Sequence, residues 1–167
     1  MLGRLAESAP RRYIPGEQFW YLGRRFHLKI TTEAPAPLSL THAFMLDQKQ
    51  LHQAEHVFES WYRSQARQVL VERLNHFASQ MNLKYTRFRL SSAETRWGSC
   101  SATGTISLSW RLVMAPPPAI DYVVVHELAH IKIKNHSKNF WAAIAAILPD
   151  YRAQIAWLKQ FGHQLHI

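Results

Sequence analysis

From residue 52 to residue 81 the apolar side chains Val57, Trp61, Val69, Leu70, Leu74, Phe77 and Met81 recur at helical spacing, with neither proline nor glycine between them. The pattern predicts one long amphipathic helix with a single buried face. Before it the period changes. Phe19 to Leu22, a turn at Gly23, Phe26 to Ile30, and Pro37 through Leu46 form short apolar pieces punctuated by Pro35-Ala36-Pro37, which reads as a small β appendage over residues 1–50. After the helix, Tyr85 to Leu90, Thr95 to Cys100 and Thr105 to Trp110 predict three strands, the last two joined at the Ser101-Ala102-Thr103-Gly104 turn. We read them as an antiparallel meander covered by the long helix. Leu112 to Pro118 leads into a strongly apolar helix, with Pro118 in its first turn. Two shorter helices follow. Ser137 suits an N-cap for the first, which closes at Pro149, and the second runs from about Tyr151 to Phe161 and ends at Gly162. The expected architecture is α+β, with the main domain over residues 51–167.

The most informative stretch lies in the apolar helix. Ala119-Ile120-Asp121-Tyr122-Val123-Val124-Val125 runs directly into His126-Glu127-Leu128-Ala129-His130. His126 and His130, four residues apart, project from one face about a turn apart and can share a metal ion. Glu127 leaves the helix about 100° round from His126, poorly directed for a third ligand but well placed to take a proton from water at that ion. A buried apolar helix carrying such polar groups needs a compensating partner, which a metal supplies.

A third ligand is needed, and downstream only His136, Asp150, His163 and His166 are available, since Glu127 is the last glutamate and Asp150 the one later acid. On an unbroken helix His136 would sit about 280° round from His126, on the wrong face. A break is therefore expected, with Asn135 as a left-handed C′ residue, which would fold His136 back towards the metal and favours it among the four. Two histidines plus one further ligand, with an open position, is the catalytic arrangement of zinc; a structural site usually closes with four Cys or His ligands, and the chain has one cysteine, Cys100.

Composition narrows the setting. The 167 residues suit one domain with a small appendage, and 47% hydrophobic content can build a core. One cysteine excludes an internal disulfide framework, the first dozen residues lack the apolar run of a signal peptide, and no apolar stretch approaches bilayer length, so a cytoplasmic location without membrane contact is expected. A formal net charge of +9 predicts attraction to nucleic acid, nucleotides or acidic protein surfaces, although the cations are spread along the chain and no nucleic-acid motif accompanies them.

The residues also resemble a known family. Arg96-Trp97-Gly98-Ser99-Cys100, Ile106 and Leu108, Trp110-Arg111-Leu112, Pro116, Tyr122 to His130, His136-Ser137, Phe140-Trp141, Pro149-Asp150-Tyr151 and Trp157-Leu158 are similar to the YgjP-like metallopeptidase domain, which is related to the SprT-like and WLM zinc peptidases. The likeness is dense over residues 94–162 and looser elsewhere, including Tyr21 to Arg25. It departs at Ser109, where the family favours Asn. The resemblance implies a zincin-like metallopeptidase core of long helix, three-stranded sheet, metal helix and C-terminal helices. It also implies His126, His130 and His136 as ligands to one Zn²⁺ per chain, Glu127 as general base, and a polypeptide substrate. Other first-row divalent ions suit the same donors. The strand Thr105 to Trp110 is expected to be the edge that pairs with substrate. Arg96 and Tyr122 are candidate donors to developing negative charge, but a salt bridge and core packing, respectively, explain them more simply. Core packing likewise suffices for Trp97 and Cys100. Two other classes fit the charge: a metal-dependent nucleoside triphosphate phosphohydrolase, which no phosphate-cradling glycine loop supports, and a nucleic-acid-associated protease.

Overall fold

The computed structural model describes residues 9–167; the opening stretch read for a signal peptide lies, through residue 8, outside the described residues. Among the described residues, seven strands and four α-helices form two small sheets and a helical layer. Strands β1 (Gln18–Tyr21), β2 (Arg24–Thr31), β3 (Leu38–Leu40) and β4 (Phe44–Asp47) make the N-terminal sheet in the order β1-β2-β4-β3. Helix α1 (Ala54–Gln80) is the long helix its periodicity predicts, and buries Val57, Phe58, Tyr62, Ala66, Leu70, Leu74 and Phe77 along one face.

The second sheet corrects an expectation. Its strands β5 (Arg87–Ser91), β6 (Gly98–Cys100) and β7 (Thr105–Ser109) are ordered β5-β7-β6, with β5 parallel to β7 and only β6 antiparallel to it. It is therefore a mixed sheet rather than an antiparallel meander. It follows that β7, paired on both sides, is the central strand and has no edge to offer a substrate. The free edge towards the metal-motif helix belongs to β6.

That helix, α2 (Pro117–Ala129), packs between α1 and β6, and Arg73 of α1 grips Asp121 of α2 through two hydrogen bonds of 2.8 and 3.0 Å. Helices α3 (Lys138–Ile147) and α4 (Tyr151–Phe161) complete the fold, with Ser137 Oγ accepting from Phe140 N at 3.4 Å as the expected cap. Ser109, the departure from the family pattern, caps a 3-10 turn: its hydroxyl donates to Ala93 O at 3.0 Å and accepts from Arg111 N at 3.3 Å. A single hydrophobic cluster runs through all these elements, from Phe19 and Phe44 by way of Tyr62 and Trp110 to Val124 and Phe140.

The N-terminal sheet is docked onto the chain just ahead of α2. Leu22 N and Gly23 N donate to Val113 O and Met114 O, each at 2.9 Å. Gly23 has φ +80°, and a Cβ there would stand 2.6 Å from Pro116 Cβ and 2.8 Å from its Cα. Substituting Gly23→Ala is expected to cost about 2–4 kcal/mol, from left-handed strain plus overpacking. Gly16→Ala, at φ +88° with nothing within 4 Å, should cost only the strain, about 1 kcal/mol. Urea denaturation of the two variants side by side checks the difference; equal losses would mean that the contact with Pro116 is without consequence.

Candidate metal centre

Helix α2 ends sooner than the sequence suggests. Its last residue is Ala129, with His130 as C-cap, and Asn135 is not left-handed. No glycine or proline marks the stop. Backbone bonds from Ile131 N to Leu128 O, and from Lys132 N and Ile133 N to Ala129 O, tighten the last turn, and the His130 ring closes it by donating Nδ1–H to Ile133 O at 2.9 Å. The chain then doubles back and returns His136 to the face that carries His126 and His130.

The result is a convergence of three Nε2 atoms: His136 to His130 at 3.2 Å and His136 to His126 at 3.3 Å. Two imidazole nitrogens bound to one tetrahedral ion at about 2.0–2.1 Å stand about 3.3–3.4 Å apart, so the spacing fits a metal. All three ligand atoms lie within 4.8 Å of one another, and this is the group of His, Cys, Asp and Glu side chains able to hold an ion among the described residues. The other sequence candidates are not brought here. Asp150 accepts from Gln154 Nε2 at 3.1 Å, and His163 and His166 line a separate cavity with Arg11.

The surroundings set the histidines' chemical state. The bond to Ile133 O fixes the proton of His130 on Nδ1 and leaves the Nε2 lone pair free. Burial, and then the charges of His130 and His136, hold His126 down to about 4, so at neutral pH its ring is uncharged and able to coordinate an ion. Burial also lowers His130. Helix α3 supplies an aromatic buttress: Phe140 stacks on His130 with centroids 4.5 Å apart, and Trp141 stacks on His136 at 6.1 Å and on Tyr151 at 5.4 Å.

Glu127 is 7% exposed, with a carboxylate oxygen 4.0 Å from His126 Nε2. That puts it beside the position on which the rings converge. Burial pushes its carboxyl up to about 7, opposed by the charge of Arg96. Its side chain passes β6 where that strand has no side chain of its own: a Cβ on Gly98 would lie 3.0 Å from Glu127 Cγ. A cavity of about 450 Å³ opens onto the cluster, walled by Trp97, Trp141, Ile155 and Leu158 with Arg96 and Lys159 at its sides. Among the described residues no carboxylate pairs with Arg96, so the salt bridge anticipated for it is not made. Trp97 and Cys100 do pack against the core as expected.

Tyr122 is the residue whose role the sequence understates. Its hydroxyl lies 3.1 Å from His126 Nδ1, and burial pushes that phenol up to about 12, so it keeps its proton. The signal was present as the four-residue spacing to His126, one helical turn. Tyr122→Phe leaves the shape but removes the ring's partner, and is expected to weaken metal affinity about 10–100-fold. Competition with a chromogenic zinc chelator measures this; unchanged affinity would make Tyr122 a packing residue alone.

A model of the YgjP-like, metallopeptidase domain family matches residues 2–161. No curated protein sequence matches the chain. Among solved structures, the chain is similar to the metallopeptidase zymogen abylysin of Pyrococcus abyssi, at 24% identity and a TM-score of 0.46 over 52% of this chain and 86% of that one. It is similar also to the zymogen jannalysin of Methanocaldococcus jannaschii, at 21% identity and 0.46 over 53% and 94%. Matched through both sheets, the histidine cluster and the walls of its cleft, the chain belongs to the YgjP-like metallopeptidase domain family.

Proposed function

We propose that the protein is a zinc-dependent peptidase in which His126, His130 and His136 hold one ion and Glu127 acts as general base. The observation that carries this reading is the approach of His136 Nε2 to the Nε2 atoms of His126 and His130 at the spacing of ligands on one ion, with a buried carboxyl beside them. A zinc ion bound there acidifies water and polarises a carbonyl oxygen.

The chain's own groups supply the remaining steps. Glu127 accepts a proton from the attacking water and later delivers it to the leaving amine, roles suited to a carboxyl whose affinity for protons lies near neutrality. A cation close by favours the ionised form that the first of these steps requires. Tyr122 holds the His126 ring in orientation. The exposed edge of β6 is suited to align an extended substrate backbone, and the tryptophan-walled cavity to take an apolar side chain while excluding water. Among the described residues no helix is long and apolar enough to cross a membrane.

Incubation of the zinc-loaded chain with an unstructured polypeptide tests the reading. New amino termini are expected, absent after chelation. Release of phosphate from nucleoside triphosphates without cleavage of the polypeptide would overturn it.

A further inference from the structure

The cleft at the metal centre does not end at Trp141. On the other side of that ring a second hollow, of about 650 Å³, shares His136, Trp141 and Ile155 with the first. The two adjoin along those three residues and together make a groove past His136. Its charges are one-sided. Arg96 and Lys159 line the first half, Lys138 and Arg152 the second, and among the described residues Glu127 is the only acid along either. Among the described residues none of these four cations has a carboxylate within ion-pair distance. Lys138 is placed against its own helix, since the first turn of α3, which carries no acid, is where the macrodipole favours a negative group.

We infer that this groove binds acidic polypeptide segments, with carboxylates on both sides of an apolar residue seated among Trp97, Ile155 and Leu158. Like-signed cations along a concave wall of low dielectric focus their field, draw in a segment of opposite charge, and repel a basic one. The inference rests on the peptidase reading for what happens to the bound segment, but not for binding itself.

The test uses the full chain carrying Glu127→Gln, zinc-loaded, and fluorescent peptides that share a central leucine flanked by glutamates, glutamines or lysines. Affinity by anisotropy is expected to favour the glutamate peptide over its glutamine counterpart at least tenfold. Adding Lys138→Gln and Arg152→Gln should reduce that preference to about threefold or less. Adding Arg87→Gln and Arg89→Gln instead, an equal loss of charge on β5, should leave it unchanged. Equal binding of glutamate and glutamine peptides, or equal loss of preference in the two double variants, would overturn the inference, as would displacement of the peptide by an equimolar nucleoside triphosphate. Selective binding by Glu127→Gln with no cleavage by the parent chain would uphold the groove and sink the hydrolytic reading.

Discussion

Glu127→Gln is expected to lower the rate of peptide hydrolysis by a factor of about 10²–10⁴ while leaving zinc content unchanged. The amide keeps the shape of the side chain and its contact with β6, and the three ligand rings are untouched, so the loss isolates proton transfer. The same substitution has a second readout that needs no substrate. In the metal-free chain the Glu127 carboxyl has its ordinary value of 4.5 when unfolded and about 7 when folded. Such a group supports the native state fully below pH 4.5 and withdraws that support as pH rises through 7, because the buried carboxylate must then be charged. At about 1.36 kcal/mol per pH unit the withdrawal amounts to about 3 kcal/mol. Metal-free Glu127→Gln should therefore match the parent near pH 4.5 and exceed it by about 3 kcal/mol above pH 7, in denaturant titrations at the two pH values. A variant that lost activity and also lost zinc, or that showed no pH-dependent gain in stability, would mean that the carboxyl is a ligand or a solvated bystander.

The second large effect is expected at the histidine cluster. His130→Ala removes one of three converging nitrogens from the end of α2, where the ring is partly exposed and stacked on Phe140. Zinc at a hundredfold excess over its dissociation constant stabilises a native state by about 2.7 kcal/mol, and the parent chain should show that rise in a thermal melt. In His130→Ala the rise disappears at the same zinc concentration and hydrolysis with it, whereas Tyr122→Phe regains both at higher zinc. Stoichiometric zinc in a folded His130→Ala chain would shift the site to other donors, with Asp150, His163 and His166 the next to examine.

The helical part of this molecule was legible because its periodicity is set by burial alone. Helix α1 follows its apolar stripe, and α4 spans Tyr151–Phe161 as its closing glycine suggested. The histidine cluster was legible for a similar reason, since two of its members lie one helical turn apart. Strand order was not. Short connections favour neighbours in sequence as neighbours in space, yet β7 inserts between β5 and β6, leaving at the edge, beside α2, the strand whose Gly98 makes room for Glu127 and Leu108. That fit is a tertiary contact with no counterpart in local pattern. The end of α2 was missed on similar grounds: Ile131 and Lys132 continue a helical sequence, and the stop comes from a side-chain ring bonding to the backbone three residues on. The unpaired cations of the cleft were visible only as net charge until the fold gathered Arg96, Lys138, Arg152 and Lys159 along one groove.

The most direct test is a titration of zinc into the metal-free chain, following cleavage of an unstructured polypeptide at each addition. Activity should rise from zero and level off at one zinc per chain, with the break lost in His130→Ala. Full cleavage by the chelated chain, or a folded chain that takes up no stoichiometric zinc, would contradict a catalytic three-histidine centre.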